Sequence, residues 1–109
     1  MKVLINISKQ VDVAENAQQN WEEDIYATLE RFNKWITRIE VHVTDENSKA
    51  KGGSDDIRCL MEARPANHQP ISIEVRAGSA GQAVRDGIDT LERRLDTMLD
   101  KARTEQRKK

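Results

Sequence analysis

Apolar residues recur every three or four positions from residue 79 to residue 102, which is the pattern of a helix with one buried face. Ser79 and Gln82 stand at the spacing of a capping box, in which each side chain satisfies a backbone N–H at the helix start. The sequence therefore predicts a helix that begins just after Ser79. Its expected core positions are Ala80, Val84, Ile88, Leu91, Leu95, Met98 and Ala102.

A second helical pattern lies nearer the N-terminus. Its apolar positions, spaced by three or four residues, are Ala17, Trp21, Ile25, Leu29, Phe32 and Ile36. Asp12 and Glu15 have capping-box spacing, so we expect this helix to begin near Ala14. Its first half is acidic, because Glu15 is followed by Glu22, Glu23 and Asp24 without a Lys or Arg. A phosphate group would be repelled from that half.

Four stretches alternate between apolar and polar residues, as half-buried strands do: residues 3–8, 38–44, 57–64 and 71–76. Residues 45–56 predict a flexible hairpin connection and residues 65–70 a turn. The predicted fold is an α+β two-layer sandwich in the order β-α-β-β-β-α, with both helices packed on one face of a four-stranded sheet. Strands two to four are expected to form an antiparallel meander. We expect one domain over residues 1–102 and a basic, frayed tail over residues 103–109.

Composition narrows the classes of function. The chain is 37% apolar and 34% charged, which indicates a solvated globular domain rather than a disordered chain. No apolar run approaches the roughly 20 residues of a membrane span, and the N-terminal run is too short for a signal peptide, so we expect a cytoplasmic protein without a membrane partner. The single Cys59 is expected to be a buried small apolar residue.

The sequence offers no catalytic constellation. Two histidines and one cysteine are scattered along the chain, so we expect no metal site and no cofactor. Ser54 beside two aspartates is interpreted as a solvated turn, and Lys51 to Ser54 lacks the spacing of a phosphate-binding loop. We therefore expect neither an enzyme nor a small-molecule substrate.

The net charge of −1 averages two unlike parts of the chain. Residues 101–109 hold five basic residues and one acidic residue, a local charge of +4, so the rest of the chain carries −5. On the last helix, Arg94, Lys101 and Lys108 follow one flank of the apolar face, with Thr90 and Thr97 between them. This basic stripe favours contact with an anion, but cations near a helix C-terminus also complement the helix dipole. Both interpretations remain open.

The polar face of the predicted sheet mixes both signs of charge. Its arginines, Arg38, Arg58, Arg64 and Arg76, alternate with Glu40, Glu62 and Glu74. Cross-strand ion pairs are the favoured interpretation over an RNA-binding platform, because no aromatic residue is available there to stack on a base. His42 on the same face is expected to join a cross-strand polar network.

Several segments resemble the short ribosome hibernation-promoting factor and protein Y family, also called sigma-54 modulation proteins. The sharpest likeness runs from Ala83 to Leu95 and includes Asp89-Thr90-Leu91-Glu92-Arg93-Arg94-Leu95. The opening run from Ile5 to Val13, and Leu29 to Phe32 followed by the strand from Ile39 to Val43, are similar to the first strand, helix end and second strand of the family. The resemblance covers nearly the whole chain and implies the same fold that the periodicity predicts.

The resemblance implies that the chain binds the small ribosomal subunit in the channel that messenger and transfer RNA use, and inhibits translation in stationary phase or stress. Basic helix residues of the family contact ribosomal RNA. The positions here that match are Arg31, Lys34, Arg93, Arg94 and Lys101, and the basic stripe of the last helix adds Lys108 as a candidate contact. Thr90 stands where the family has a Lys. The acidic half of the first helix stands where the family commonly has lysines. An alternative function is therefore a diverged member that binds a protein partner without tight ribosome binding.

Overall fold

The computed structural model describes residues 1–9, 11–46 and 57–107, with side chains as far as Lys101. A 3-10 turn, Glu30–Phe32, separates the first helix from the second strand. The elements in chain order are β1 (Lys2–Ile7), α1 (Ala17–Leu29), β2 (Ile36–Asp45), β3 (Ile57–Pro65), β4 (Ile71–Ala77) and α2 (Ala80–Arg107). The predicted α+β fold and its β-α-β-β-β-α order are confirmed.

The sheet has the strand order β1-β2-β3-β4, with β1 parallel to β2 and the other two pairs antiparallel. A parallel pair needs a crossover connection, and α1 supplies it between β1 and β2. The strand register aligns apolar residues in rows across one face, such as Ile5, Val41, Met61 and Ile73. That face is buried: α2 lies on β3 and β4, and α1 contacts β1 and α2.

α2 begins where the sequence predicts, but only half of its capping box forms. The backbone N–H of Gln82 donates to the hydroxyl of Ser79 at 3.2 Å. The Gln82 side chain donates to Asp86 Oδ1 at 2.8 Å instead of bonding back to the cap. The apolar face of α2 is buried as expected, with Leu91 and Leu95 fully inaccessible to solvent.

The predicted bounds of α1 are wrong at both ends. The helix begins at Ala17 rather than near Ala14, and no capping box of Asp12 and Glu15 precedes it. Val11 is buried in the core, and its N–H donates to Ser8 O, so the chain must turn before the helix can start. Tertiary burial of Val11 therefore overrides the local capping signal.

The C-terminal end of α1 shows why the apolar spacing misleads there. The helix ends at Leu29, Phe32 lies in the 3-10 turn, and Ile36 is the first residue of β2. All three side chains are buried. Two short turns, closed by hydrogen bonds from Asn33 N to Glu30 O and from Trp35 N to Phe32 O, keep a spacing of three to four residues between buried positions after the α-helix has ended.

The turn predicted over residues 65–70 begins one residue later in the structure. Pro65, expected in a turn, is the last residue of β3 and pairs with Ile36, and the turn after it contains Asn67 with φ of 64°. Most of the predicted connection, residues 47–56 with Ser54 and the Lys51 to Ser54 segment, lies outside the described residues. The backbone of α2 is helical to Arg107, five residues into the predicted tail. The fraying of residues 103–109 stays a prediction.

Candidate nucleic-acid interface

The flank of α2 that carries Arg94 and Lys101 is turned away from α1. These two residues are exposed and seven positions apart, which is two helical turns or about 10 Å along the axis. Neither forms a salt bridge with any side chain that the structure describes. The hydroxyls of Thr90 and Thr97 between them donate to carbonyls of their own helix, at 2.8 Å and 3.0 Å. The flank thus presents two cations with no carboxylate among them.

The other predicted contact residues occupy different surroundings. Arg93 is exposed on the outer face of α2, and its guanidinium lies 3.5 Å from the hydroxyl oxygen of Thr90. Lys34 is exposed in the turn that leads into β2. Lys108 lies outside the described residues. The structure therefore brings Arg94 and Lys101 together on one flank, with Arg93 beside them and Lys34 apart.

Arg31 is held by two carboxylates of α2. Its guanidinium donates to Asp96 Oδ1 at 2.9 Å and lies 3.7 Å from Glu92 Oε2. It also stacks 4.3 Å from the centre of the Phe32 ring. The hydrogen bond to Asp96 raises the pKa of Arg31 above its ordinary value. A phosphate that contacts Arg31 would have to compete with both carboxylates.

Sequence reasoning missed this ion pair. The signal in the sequence is Glu92 and Asp96, one helical turn apart on the flank of α2 opposite Arg94. Nothing local says that Arg31, more than sixty residues earlier, is the residue that faces them. Only the packing of α1 against α2 decides it.

The polar face of the sheet forms ion pairs, as predicted, and one of them, Arg58–Glu74, joins two neighbouring strands. Residues directly opposite each other carry like charges: Arg38 faces Arg64, Glu40 faces Glu62, and Arg58 faces Arg76. The ion pairs instead run along single strands or on diagonals: Arg38–Glu40, Arg64–Glu62, Arg76–Glu74 and Arg58–Glu74.

The strand register explains this arrangement. Packing of the apolar face fixes the strand register. This register then determines which residues lie opposite each other on the polar face. Glu46, directly after β2, lies within ion-pair distance of both Arg58 and Arg76, so it offsets one of the like-charged pairs. His42 contacts Asn6 across the β1–β2 pair at 3.5 Å, which is a cross-strand polar contact. The arginines of this face are therefore engaged with carboxylates.

The remaining observations concern Cys59, metal-ligating side chains and membrane-spanning helices. Cys59 is fully buried, as expected, and burial raises the pKa of its thiol to about 12. Over residues 1–9, 11–46 and 57–107, no group of three or more His, Cys, Asp or Glu side chains is placed to hold a metal ion. None of the described helices combines the length and the apolar character needed to cross a membrane.

Comparison with known proteins gives consistent findings. A family model described as sigma 54 modulation protein / S30EA ribosomal protein matches residues 5–103. Among solved structures, a ribosomal subunit interface protein from Coxiella burnetii has a TM-score of 0.67 at 14% identity, over 92% of this chain and 99% of that chain. The N-terminal domain of Protein Y from Thermus thermophilus has a TM-score of 0.65 at 15% identity, over 90% and 99%. At these identities, the likenesses show the fold alone. No curated protein matches the sequence significantly.

Proposed function

Because the chain belongs to the sigma 54 modulation protein / S30EA ribosomal protein family, we propose that it is a ribosome-associated factor that binds the decoding channel of the small subunit. In this proposal it works in the cytoplasm in stationary phase or stress. It blocks messenger and transfer RNA by occupying their site, and it cuts no bond.

The observation that carries the proposal is the flank of α2 with Arg94 and Lys101. Two exposed cations, two turns apart and unpaired among the described side chains, can reach phosphates without first breaking an ion pair. Binding of a phosphate therefore costs less here than at the arginines of the sheet, where the phosphate would have to compete with a carboxylate. Arg93 and Lys34 are the next contacts that we propose, with Lys108 beyond the described residues.

Arg31 has a different place in the proposal. Its guanidinium already has two carboxylate partners at 2.9 Å and 3.7 Å, so a contact with ribosomal RNA would exchange one anion for another. We infer that its contribution to ribosome affinity is smaller than that of Arg94 or Lys101.

Co-sedimentation with ribosomes on sucrose gradients at several salt concentrations tests the proposal. Arg94→Gln with Lys101→Gln should weaken association and flatten the plot of log affinity against log salt by about 1.5, because each lost phosphate contact removes roughly 0.7 to 0.9 from the slope. Lys2→Gln with Lys9→Gln is the matched control, since it removes two exposed cations elsewhere and should leave more of the slope intact.

Two outcomes would count against the proposal. Equal effects of the two double variants would mean that only net charge matters. Unchanged association in the Arg94 and Lys101 double variant would leave the basic stripe as a solubilising end of the helix. Melting temperatures of both double variants should stay close to that of the parent, because these side chains lie outside the core.

A further inference from the structure

A groove runs between α1 and the first turns of α2. Its deeper part has a volume of about 310 Å³, a floor that includes Trp21, Val84 and Ile88, and a rim that includes Asp24, Asp89 and Arg85. A shallower depression of about 320 Å³ shares Trp21 with it and continues toward Val13 and Ala17. These volumes lie at the lower end of the range of about 300–1,000 Å³ for ligand sites. The groove is large enough for one or two side chains.

The floor is open beside Gly81, which lines both depressions. A Cβ atom built on this glycine would meet no heavy atom within 4 Å. The space above this part of the floor is therefore not filled by the protein itself. A larger side chain placed here would enter the groove without disturbing the core.

The rim of the groove is acidic. Asp24 and Asp89 border the deeper part and Asp12 the shallower one, whereas Arg85 is the one cation among the described residues that line either. Asp24 and Asp89 form no salt bridge with another described side chain. Carboxylates in this arrangement repel phosphate and attract Lys or Arg.

We propose that this α1–α2 groove is a docking site for a basic segment of a partner protein. An apolar side chain of the segment lies against Trp21, and its Lys or Arg residues lie beside Asp24 and Asp89. Val84 and Ile88 are almost fully buried, so the apolar surface of the groove comes mainly from its shallower part, around Val13 and Trp21. This apolar surface favours a polypeptide over a polyamine, and the acidic rim repels a nucleic-acid backbone. An amphipathic helix set into an apolar groove is a common way to recognise such a segment.

The site does not depend on the proposed ribosomal function, because it lies on the opposite flank of α2 from Arg94 and Lys101. It can therefore be tested on the purified protein without ribosomes. The chain has two tryptophans, so Trp35→Phe leaves Trp21 as a fluorescent reporter in the groove.

The probe is a short synthetic peptide of Lys and Leu in an amphipathic helical pattern. We expect saturable binding that changes Trp21 fluorescence and weakens as salt is raised. The same peptide with Glu in place of Lys should not bind. A peptide with Ser in place of Leu, and spermidine, should bind more weakly. Equal affinity for either of these two would overturn the proposal, because the apolar floor would then contribute nothing.

Variants locate the binding. Asp24→Asn with Asp89→Asn should weaken peptide binding about tenfold, which is the loss expected for two partly exposed ion pairs. Glu22→Gln with Glu30→Gln removes the same charge from positions that do not line the groove, and should change binding less than about twofold. Gly81→Phe should fill the groove and abolish binding while circular dichroism shows a folded protein. Equal losses in the two charge variants, or full binding by Gly81→Phe, would overturn the proposal.

Discussion

Two glycines of α2 have opposite surroundings. A Cβ on Gly87 would lie 2.9 Å from Met61 Cε and 3.4 Å from Cys59 Sγ, so this turn of the helix sits directly on the sheet. A Cβ on Gly81 would meet nothing within 4 Å. Neither glycine has a positive φ, so backbone conformation alone does not require it. At Gly87 the requirement is the close approach of helix and sheet.

Alanine substitution should separate these two roles. Gly81→Ala should raise the free energy of unfolding by about 0.5–1 kcal/mol, because alanine favours the helix and the site is open. Gly87→Ala has the same helix preference but must displace the terminal methyl of Met61, the flexible end of that side chain, so it should be the less stable of the two variants. Urea unfolding of the two variants checks this. A Gly87→Ala protein as stable as Gly81→Ala would contradict the close packing.

At the scale of elements, the 3-10 turn after α1 joins the two helices through Arg31. Its guanidinium reaches across to Glu92 and Asp96 on α2 while its plane covers Phe32. The turn is thereby tied to the middle of α2, where Leu91 and Leu95 enter the core. Arg31 contacts one flank of this part of α2 and Arg94 lies on the opposite flank, so the helix meets a neutralised arginine on one side and carries, on the other, an arginine without a salt bridge to a described side chain.

A double-mutant cycle tests this role of Arg31. Arg31→Gln and Asp96→Asn should each lower the melting temperature slightly, and the double variant should lose less than the sum, because each single change removes the same hydrogen bond. The losses should shrink at high salt, since the pair is half exposed. Lys34→Gln, at an exposed position without a described ion pair, is the control and should not couple to Asp96→Asn. Strictly additive losses would mean that the pair contributes nothing to stability.

At the scale of the whole molecule, the distribution of charge matters more than the total of −1. The flank with Arg94 and Lys101 is basic, the groove on the other side of α2 is acidic at its rim, and the sheet face pairs most of its charges internally. Of these three surfaces, only the flank with Arg94 and Lys101 is expected to attract phosphate. Because the net charge is close to zero, long-range attraction to RNA is weak, so the ribosome binding that we propose depends on local contacts.

The occupancy of an RNA site that we propose predicts a simple dose response. In a purified translation system, inhibition should reach its maximum at about one protein per ribosome, and preformed initiation complexes should resist it, because the protein and the RNAs then compete for one site. Titration of the protein against a fixed ribosome concentration gives the measurement. Arrest of many ribosomes by one molecule of protein would instead indicate a catalytic activity.

The sequence alone determined which elements form and which face of each is buried. Periods of two and of 3.6 residues follow from backbone geometry, so alternating runs and the pattern from Ala80 to Leu95 indicated strands, a helix and their core sides without knowledge of the partner. The burial of Cys59 followed in the same way. The basic flank with Arg94 and Lys101 could also be predicted from the sequence, because a helical wheel needs only the order of the residues.

Only the tertiary structure decided what each surface meets. Burial of Val11 moved the start of α1. Two consecutive tight turns kept the buried residues three to four positions apart after the helix had ended. The register required by the apolar face set like charges opposite each other on the polar face, and the packing of the helices gave Arg31 its carboxylates. The groove beside Trp21 is lined by residues of both α1 and α2, so neither helix alone predicts it. Periodicity is a property of a single element, whereas contacts, ion pairs and cavities belong to pairs of elements that are distant in the chain.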